Sequence, residues 1–174
     1  MRAIALSGMM AAGKSTVSEA LRVDHGFTVL AFGDVVRVEA DHRGIPRSDR
    51  AALQSLGQSL FDELGADGLV GRLMEGATGD VVIDGVRHIA VLESLRTRLP
   101  SMIFGFLQAD TEELDRRWRR RGESAARSDI AAHAVEGELD QLRDRADVVF
   151  DTASLTAAAI AAMLSAAAGT PTHD

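Results

Sequence analysis

The sequence predicts a three-layer α/β/α fold around a five-stranded parallel sheet, and two observations carry that prediction. Five short apolar runs recur along the chain, at Ala3 to Leu6, Phe27 to Phe32, Asp80 to Asp84, Met102 to Leu107 and Asp147 to Asp151, separated by stretches whose apolar residues have helical spacing. Strand and helix in alternation give a parallel sheet covered on both faces, which is why the strands can be apolar throughout. The first run also opens into a glycine-rich loop and then a helix, an order that aims a helix N-terminus at whatever the loop holds.

After the first strand, the helix begins at Ser15 and runs to about Arg22, with His25-Gly26 turning the chain into FTVLAF. Val35 to His42 reads as the next helix, stopped by Gly44 and Pro46. Ser48 or Asp49 can cap a longer helix reaching Leu64, on which Leu53, Leu56, Leu60 and Phe61 share a face. Gly65 ends it, and Ala66 to Glu75 forms another short helix. DVVID is a strand with an apolar interior, expected near the middle of the sheet. His88 to Leu99 is helical, and MIFGFL is the fourth strand. Asp110 or Thr111 caps an arginine-dense helix broken by Gly122, and a further helix is expected from Ser128 to Arg145. DVVFD closes the sheet, Ser154 to Ala168 is an alanine-rich final helix, and 169–174 is a tail expected to be disordered. The prediction is one domain over 1–168 with no internal repeat.

Composition narrows the function. At 174 residues the chain suffices for one full core, and 46% hydrophobic with 26% charged residues is an ordinary globular balance. A net charge of −7 argues against a nucleic-acid or anionic-membrane surface as the main partner, so an anion site has to be built locally. There is no cysteine, which removes disulfides and thiolate metal sites. No apolar run approaches a membrane span and no signal peptide precedes the first strand, so a cytoplasmic protein without membrane partners is expected. The five histidines show no ligand spacing and receive no role.

The stretch LSGMMAAGKST, Leu6 to Thr16, satisfies the phosphate-loop pattern Gly-x4-Gly-Lys-Ser/Thr. Gly8 and Gly13 let the backbone wrap an anion, and the N–H groups of Met9, Met10, Ala11, Ala12, Gly13, Lys14, Ser15 and Thr16 are placed to cradle phosphate oxygens. Lys14 then reaches the terminal phosphates and the Ser15 hydroxyl holds Mg2+. Of 19 basic residues Lys14 is the one lysine; a slim ammonium is kept where a wide guanidinium fork would not fit.

Ligands of such sheets bind beyond the carboxyl ends of the strands. Val81-Val82-Ile83-Asp84 has the shape of a Walker B strand, placing the Asp84 carboxylate near the loop's Mg2+, although a plain helix cap is the alternative. A hydrolytic motor usually carries a glutamate next; here Gly85, Val86 and Arg87 follow, which favours transfer to a bound acceptor. No second lysine exists to build the Asn-Lys-x-Asp motif of guanine-specific switches.

The set GMMAAGKST, FGDVVR, VVIDGVR and an arginine-rich segment after the fourth strand resembles the P-loop nucleoside monophosphate kinases, in the branch that includes deoxynucleoside monophosphate and dephospho-coenzyme-A kinases. The resemblance covers Ile4 to about Leu164 and implies an ATP donor, Mg2+, and small-molecule nucleotide substrates. It implies that Arg87, in an Asp-Gly-Val-Arg where adenylate-type kinases have Asp-Gly-Phe-Pro-Arg, grips the acceptor phosphate, with Arg37 as second clamp. Asp34 binds the acceptor's sugar, orients Arg37 or only caps a helix; Gln54 or Gln58 touches the base or lies on a solvated face. The resemblance places an acceptor-binding insertion at about 34–76 and a lid at about 116–140. In the lid, Arg117 and Arg121 share a face and are the preferred pair on the triphosphate, Arg116 and Arg120 have the same spacing, and Arg127 resembles a lid arginine. Relatives carry further arginines after this point, whereas 130–140 offers only His133 as a basic group, so either the lid is built from fewer charges or Arg143 and Arg145 contribute. Trp118 is expected to pack beneath the lid. The expected reaction is phosphorylation of a nucleoside or deoxynucleoside 5′-monophosphate, with dephospho-coenzyme-A kinase and a non-catalytic nucleotide-binding regulator as alternatives.

Overall fold

Alternating apolar runs and helices assemble in the computed structural model as a three-layer α/β/α sandwich, described over residues 1–120 and 138–169. The strands are β1 (Ala3–Gly8), β2 (Thr28–Ala31), β3 (Val81–Asp84), β4 (Ile103–Gln108) and β5 (Val148–Asp151). They form one parallel sheet in the order β2-β3-β1-β4-β5, which puts the strand feeding the glycine loop at the centre.

The helices are α1 (Lys14–His25), α2 (Phe32–His42), α3 (Arg50–Met74), α4 (Ile89–Arg98), α5 (Thr111–Arg120), α6 (Leu139–Asp144) and α7 (Ala157–Gly169). Because successive strand residues point to opposite faces, β1 divides cleanly between two cores. Ala3 and Ala5 join Leu56, Leu60, Val70, Leu92 and Leu142 under α2, α3, α4 and α6. Ile4 and Leu6 join Val17, Leu21, Trp118, Ile160 and Leu164 under α1, α5 and α7. Trp118, 4% exposed, is a packing residue, as the sequence led one to expect.

Two boundaries differ from expectation for physical reasons. Helix α2 starts at Phe32, directly on the end of β2, so Gly33 and Asp34 lie in its first turn and not in a loop before it. There a carboxylate faces the positive end of the helix dipole, a favourable placement. Gly65, with φ 66° and ψ 177°, is non-helical and divides α3 into two helical arms, the break the sequence places there. Asp49 does cap α3, accepting from the Ala52 N–H at 3.0 Å. The final helix begins at Ala157, because Asp151 first organises a turn by accepting from the Ala153 N–H and the Ser154 hydroxyl. Arg121, Gly122, Arg127 and His133 lie outside the described residues, as do most of the expected helix from Ser128 and the tail after Gly169.

The opposite end of the sheet is pinned. Arg2 donates its backbone N–H and its Nε to Asp80 at 2.6 and 2.7 Å, reaches the Ser165 hydroxyl at 3.0 Å, and lays its guanidinium over the Phe27 ring at 4.6 Å. One side chain thus ties the starts of β1 and β3 to α7, leaving the carboxyl ends of the strands to build the site.

Candidate active site

The loop after β1 has the backbone its glycines predict. Gly8 sits at φ 142°, and a Cβ there would lie 2.1 Å from the Leu107 carbonyl oxygen. Gly13 is left-handed at φ 92°, and so is Ala11 at φ 68°, a strained conformation for an alanine of the kind that collects at functional sites. No side chain caps α1, whose Thr16 and Val17 N–H groups donate to the Gly13 carbonyl at 3.0 and 3.1 Å, and its N-terminus, the positive end of the helix dipole, adjoins the loop. Lys14 turns back over the loop, its Nζ donating to the carbonyls of Gly8 at 2.8 Å and Met9 at 3.0 Å.

Asp84 ends β3 beside the first turn of α1, and the Ser15 hydroxyl donates to its Oδ2 at 3.1 Å. Burial raises the Asp84 pKa above the ordinary carboxylate value, against the lowering influence of Lys14, of the Ser15 hydrogen bond and of Arg87. A hydroxyl and a carboxylate this close suit a hard divalent cation such as Mg2+, which takes few protein oxygens and completes its shell with water and substrate phosphate. No group of three or more His, Asp or Glu placed to hold a metal occurs among the described residues.

Two cavities flank the loop. The larger, about 700 Å³, is lined by Lys14, Ser15 and Asp84 together with Arg37 and Arg87. The same lining includes Val36, Leu53, Phe61, Leu69 and Val91, with Gln54 and Gln58. Phe61 and His88 stack at 4.1 Å between centroids and 15° between planes, giving that wall a flat face. Arg37 is held in an ion pair with Asp34. Gln58 donates to Asp62 at 2.9 Å, which fixes its amide. Ser18 lines the same cavity, 1% exposed, and its buried Oγ has no hydrogen-bond partner among the described residues.

The smaller cavity, about 410 Å³, also adjoins the loop and is lined by Ala12, Gly13, Thr16, Leu155 and Ile160. Arg117 and Arg120 close it from α5. Arg117 is immobilised: its Nε donates to Glu113 at 2.6 Å, and its two remaining nitrogens reach the Thr152 hydroxyl at 2.8 Å and carbonyl at 2.7 Å. Those bonds place the guanidinium against β5's exit while Arg117 still lines this cavity, as its spacing on α5 leads one to expect of a residue on that face. Its expected partner Arg121 and the lid arginine Arg127 lie outside the described residues, and Arg116 is drawn to Glu113 at 2.9 Å. Arg143 pairs with Asp144, and Arg145 bonds the Gln141 carbonyl; neither lines a cavity described here.

The structure therefore brings together the loop, Asp84, Asp34, Arg37, Arg87 and Gln58. Phe61, His88, Ser18 and Thr152 escaped the sequence reading. Phe61 was legible only as a core position on α3, and a lone histidine after a strand carries no spacing signal.

A central β1 feeding a glycine loop, a lysine folded over it and an acidic residue closing the neighbouring strand define a P-loop nucleotide-binding fold of the kinase kind. The chain belongs to the AAA-domain family, whose model matches residues 4–143. Over 99 residues it is 38% identical to a UPF0200 protein of Methanothrix thermoacetophila, a match covering 56% of this chain and 53% of that relative, about half its length. Over 157 residues it is 30% identical to the adenylate kinase of Thermus thermophilus, covering 84% of this chain and 80% of that enzyme. Among solved structures, a gluconokinase from Sinorhizobium meliloti superposes with a TM-score of 0.60 at 22% identity over 95% of this chain and 90% of that one, a likeness of fold.

Proposed function

We propose that the chain transfers the γ-phosphoryl group of ATP to a nucleoside or deoxynucleoside 5′-monophosphate. The observation that carries this reading is the larger cavity: an apolar, flat-walled cleft bearing two amides, with two arginines facing the same space as Lys14 and Asp84. A nucleobase is flat, apolar on its faces and polar at its edge, and this lining matches it. A polyhydroxylated acid such as gluconate would bring a hydroxyl for nearly every carbon, and Val36, Leu53, Leu69 and Val91 would leave many of them unpaired at a cost.

In this reading the donor's phosphates lie in the loop and its base enters the smaller cavity, flat against Arg117. Lys14 exchanges its two carbonyl acceptors for phosphate oxygens, a stronger charge-assisted contact. Mg2+, held by Ser15 and Asp84, would neutralise charge on the phosphates. Arg87 and Arg37 hold the acceptor phosphate, Arg37 giving up its bond to Asp34 as the phosphate arrives. Transfer of this kind needs alignment and charge neutralisation more than covalent catalysis. Gly85 stands where a hydrolase would carry its water-activating glutamate, which supports transfer over hydrolysis.

The test is ADP formation from MgATP with a panel of ribo- and deoxynucleoside monophosphates, dephospho-coenzyme A and gluconate. Acceleration by one or more monophosphates, with the diphosphate as product, is the expected result. Acceleration by dephospho-coenzyme A alone, by gluconate alone, or by nothing in the panel would overturn the reading.

A further inference from the structure

Arg87 is suspended between two anchored residues. On one side Val86 is 1% exposed, its N–H donates to the Leu6 carbonyl at 3.1 Å, and its own carbonyl accepts from the Ser7 hydroxyl at 2.6 Å. On the other side His88 lies flat on Phe61 of α3. Its Nδ1 is 3.1 Å from Glu138 Oε1, while Glu138 Oε2 accepts from the Ile89 N–H at 2.7 Å. His88 is the N-cap residue of α4, yet its side chain makes no cap. Glu138, 50 positions away at the entrance to α6, supplies that cap instead, with one carboxylate oxygen on the ring and the other on the helix terminus.

From this arrangement we infer that Glu138 and His88 are positioning residues for the acceptor arginine. The carboxylate fixes the ring and the first turn of α4 together, the ring fixes α3 against the turn, and Arg87 has its backbone held on both flanks. A core contact alone would need neither the bidentate geometry nor a polar ring facing the cavity. Stacking by any aromatic would fill the space; the two-oxygen bond from Glu138 is what sets the register of the residue next to Arg87. The inference rests on the reading that Arg87 grips the acceptor phosphate, and its experiment separates the two.

The first measurement needs no substrate: hydrogen exchange of the backbone amides at 85–91 in the full chain and in Glu138→Ala, His88→Asn and Glu138→Gln. Glu138→Ala removes both bonds and is expected to speed exchange at Ile89 and through the turn at least about tenfold. His88→Asn, which loses the stack, is expected to do so to a lesser extent. Glu138→Gln keeps an acceptor for Ile89 and a donor for a neutral ring, and is expected to exchange as the natural chain does. Unchanged exchange at 85–89 in Glu138→Ala overturns the inference whatever the substrate proves to be.

The second measurement is kinetic, with the best monophosphate of the panel. Glu138→Ala is expected to raise the acceptor KM about tenfold while leaving the ATP Kd unchanged, because a displaced clamp loses alignment without touching the donor loop. Glu138→Gln is expected to restore the acceptor KM. In an Arg87→Ala background Glu138→Ala is expected to add almost nothing, the signature of action through one residue. Additive losses, or equal losses toward donor and acceptor, would mark a purely structural role and overturn the inference. Failure of every monophosphate to serve the natural chain counts against the proposed substrate and leaves the exchange result to decide.

Discussion

Asp84 shows how a single side chain sets function against stability. Its folded-state pKa is raised by burial, so the folded chain binds a proton more readily than the unfolded chain does. Ionised Asp84 therefore costs stability above the unfolded value, and that cost disappears as the pH falls through the raised folded value. Asp84→Asn should raise the Tm of the ligand-free protein at pH 7, with the gain vanishing on acidification, while phosphoryl transfer falls by about 100-fold or more. A lowered Tm would mean that Lys14, Ser15 and Arg87 outweigh burial. Asp80 behaves in the opposite sense. The Arg2 backbone N–H, then its side chain, hold the Asp80 pKa below the ordinary range. Its stabilisation is present above the unfolded value near 3.9 and is lost as the pH falls through the lowered folded value. Asp80→Asn should cost about 1 kcal/mol at pH 7 and progressively less below about pH 4, read by urea unfolding across pH.

Among the elements, the loop between β1 and α1 is the least tolerant of change. Gly8→Ala would force a Cβ to 2.1 Å from the Leu107 carbonyl in a left-handed conformation, so the loop must pull away from β4. The expected loss is at least about 2 kcal/mol of stability together with MgATP binding, measured by thermal unfolding and calorimetry. Retained MgATP affinity would show that the loop's path does not depend on that close approach. Gly65 differs, since a Cβ there meets nothing within 4 Å and only its φ of 66° resists substitution. The sequence reached both glycines, but for different reasons. The Gly8 signal belongs to a motif whose geometry is local. At Gly65 the breaker was visible as an interruption between two helical patterns, and Leu69, Val70 and Leu73 hold the second arm in the core. Helix α2, by contrast, begins earlier than its capping signals suggest, because β2 feeds it without a loop.

Across the molecule, the sheet order places the glycine loop between two cavities, and that division is the basis for reading a donor side and an acceptor side. Fold class and phosphate loop were legible because short apolar runs and a fixed-spacing motif are local patterns. The acceptor wall was less so: Phe61 and His88 are 27 positions apart and meet only when α3 packs against α4. Arg117 illustrates the limit in another way. Helical spacing identified its face, but Thr152, 35 positions further on, decides where its guanidinium points. No helix among the described residues is long and apolar enough to cross a membrane. The central claim is that Arg87 serves the acceptor and Lys14 the donor, within one two-substrate site. Its most direct test is the rate of ADP formation by Arg87→Ala, titrated separately with MgATP and with the preferred monophosphate. The acceptor KM should rise at least about tenfold while the ATP KM stays within about twofold. An unchanged acceptor KM, or equal ADP release with and without acceptor, would contradict the account.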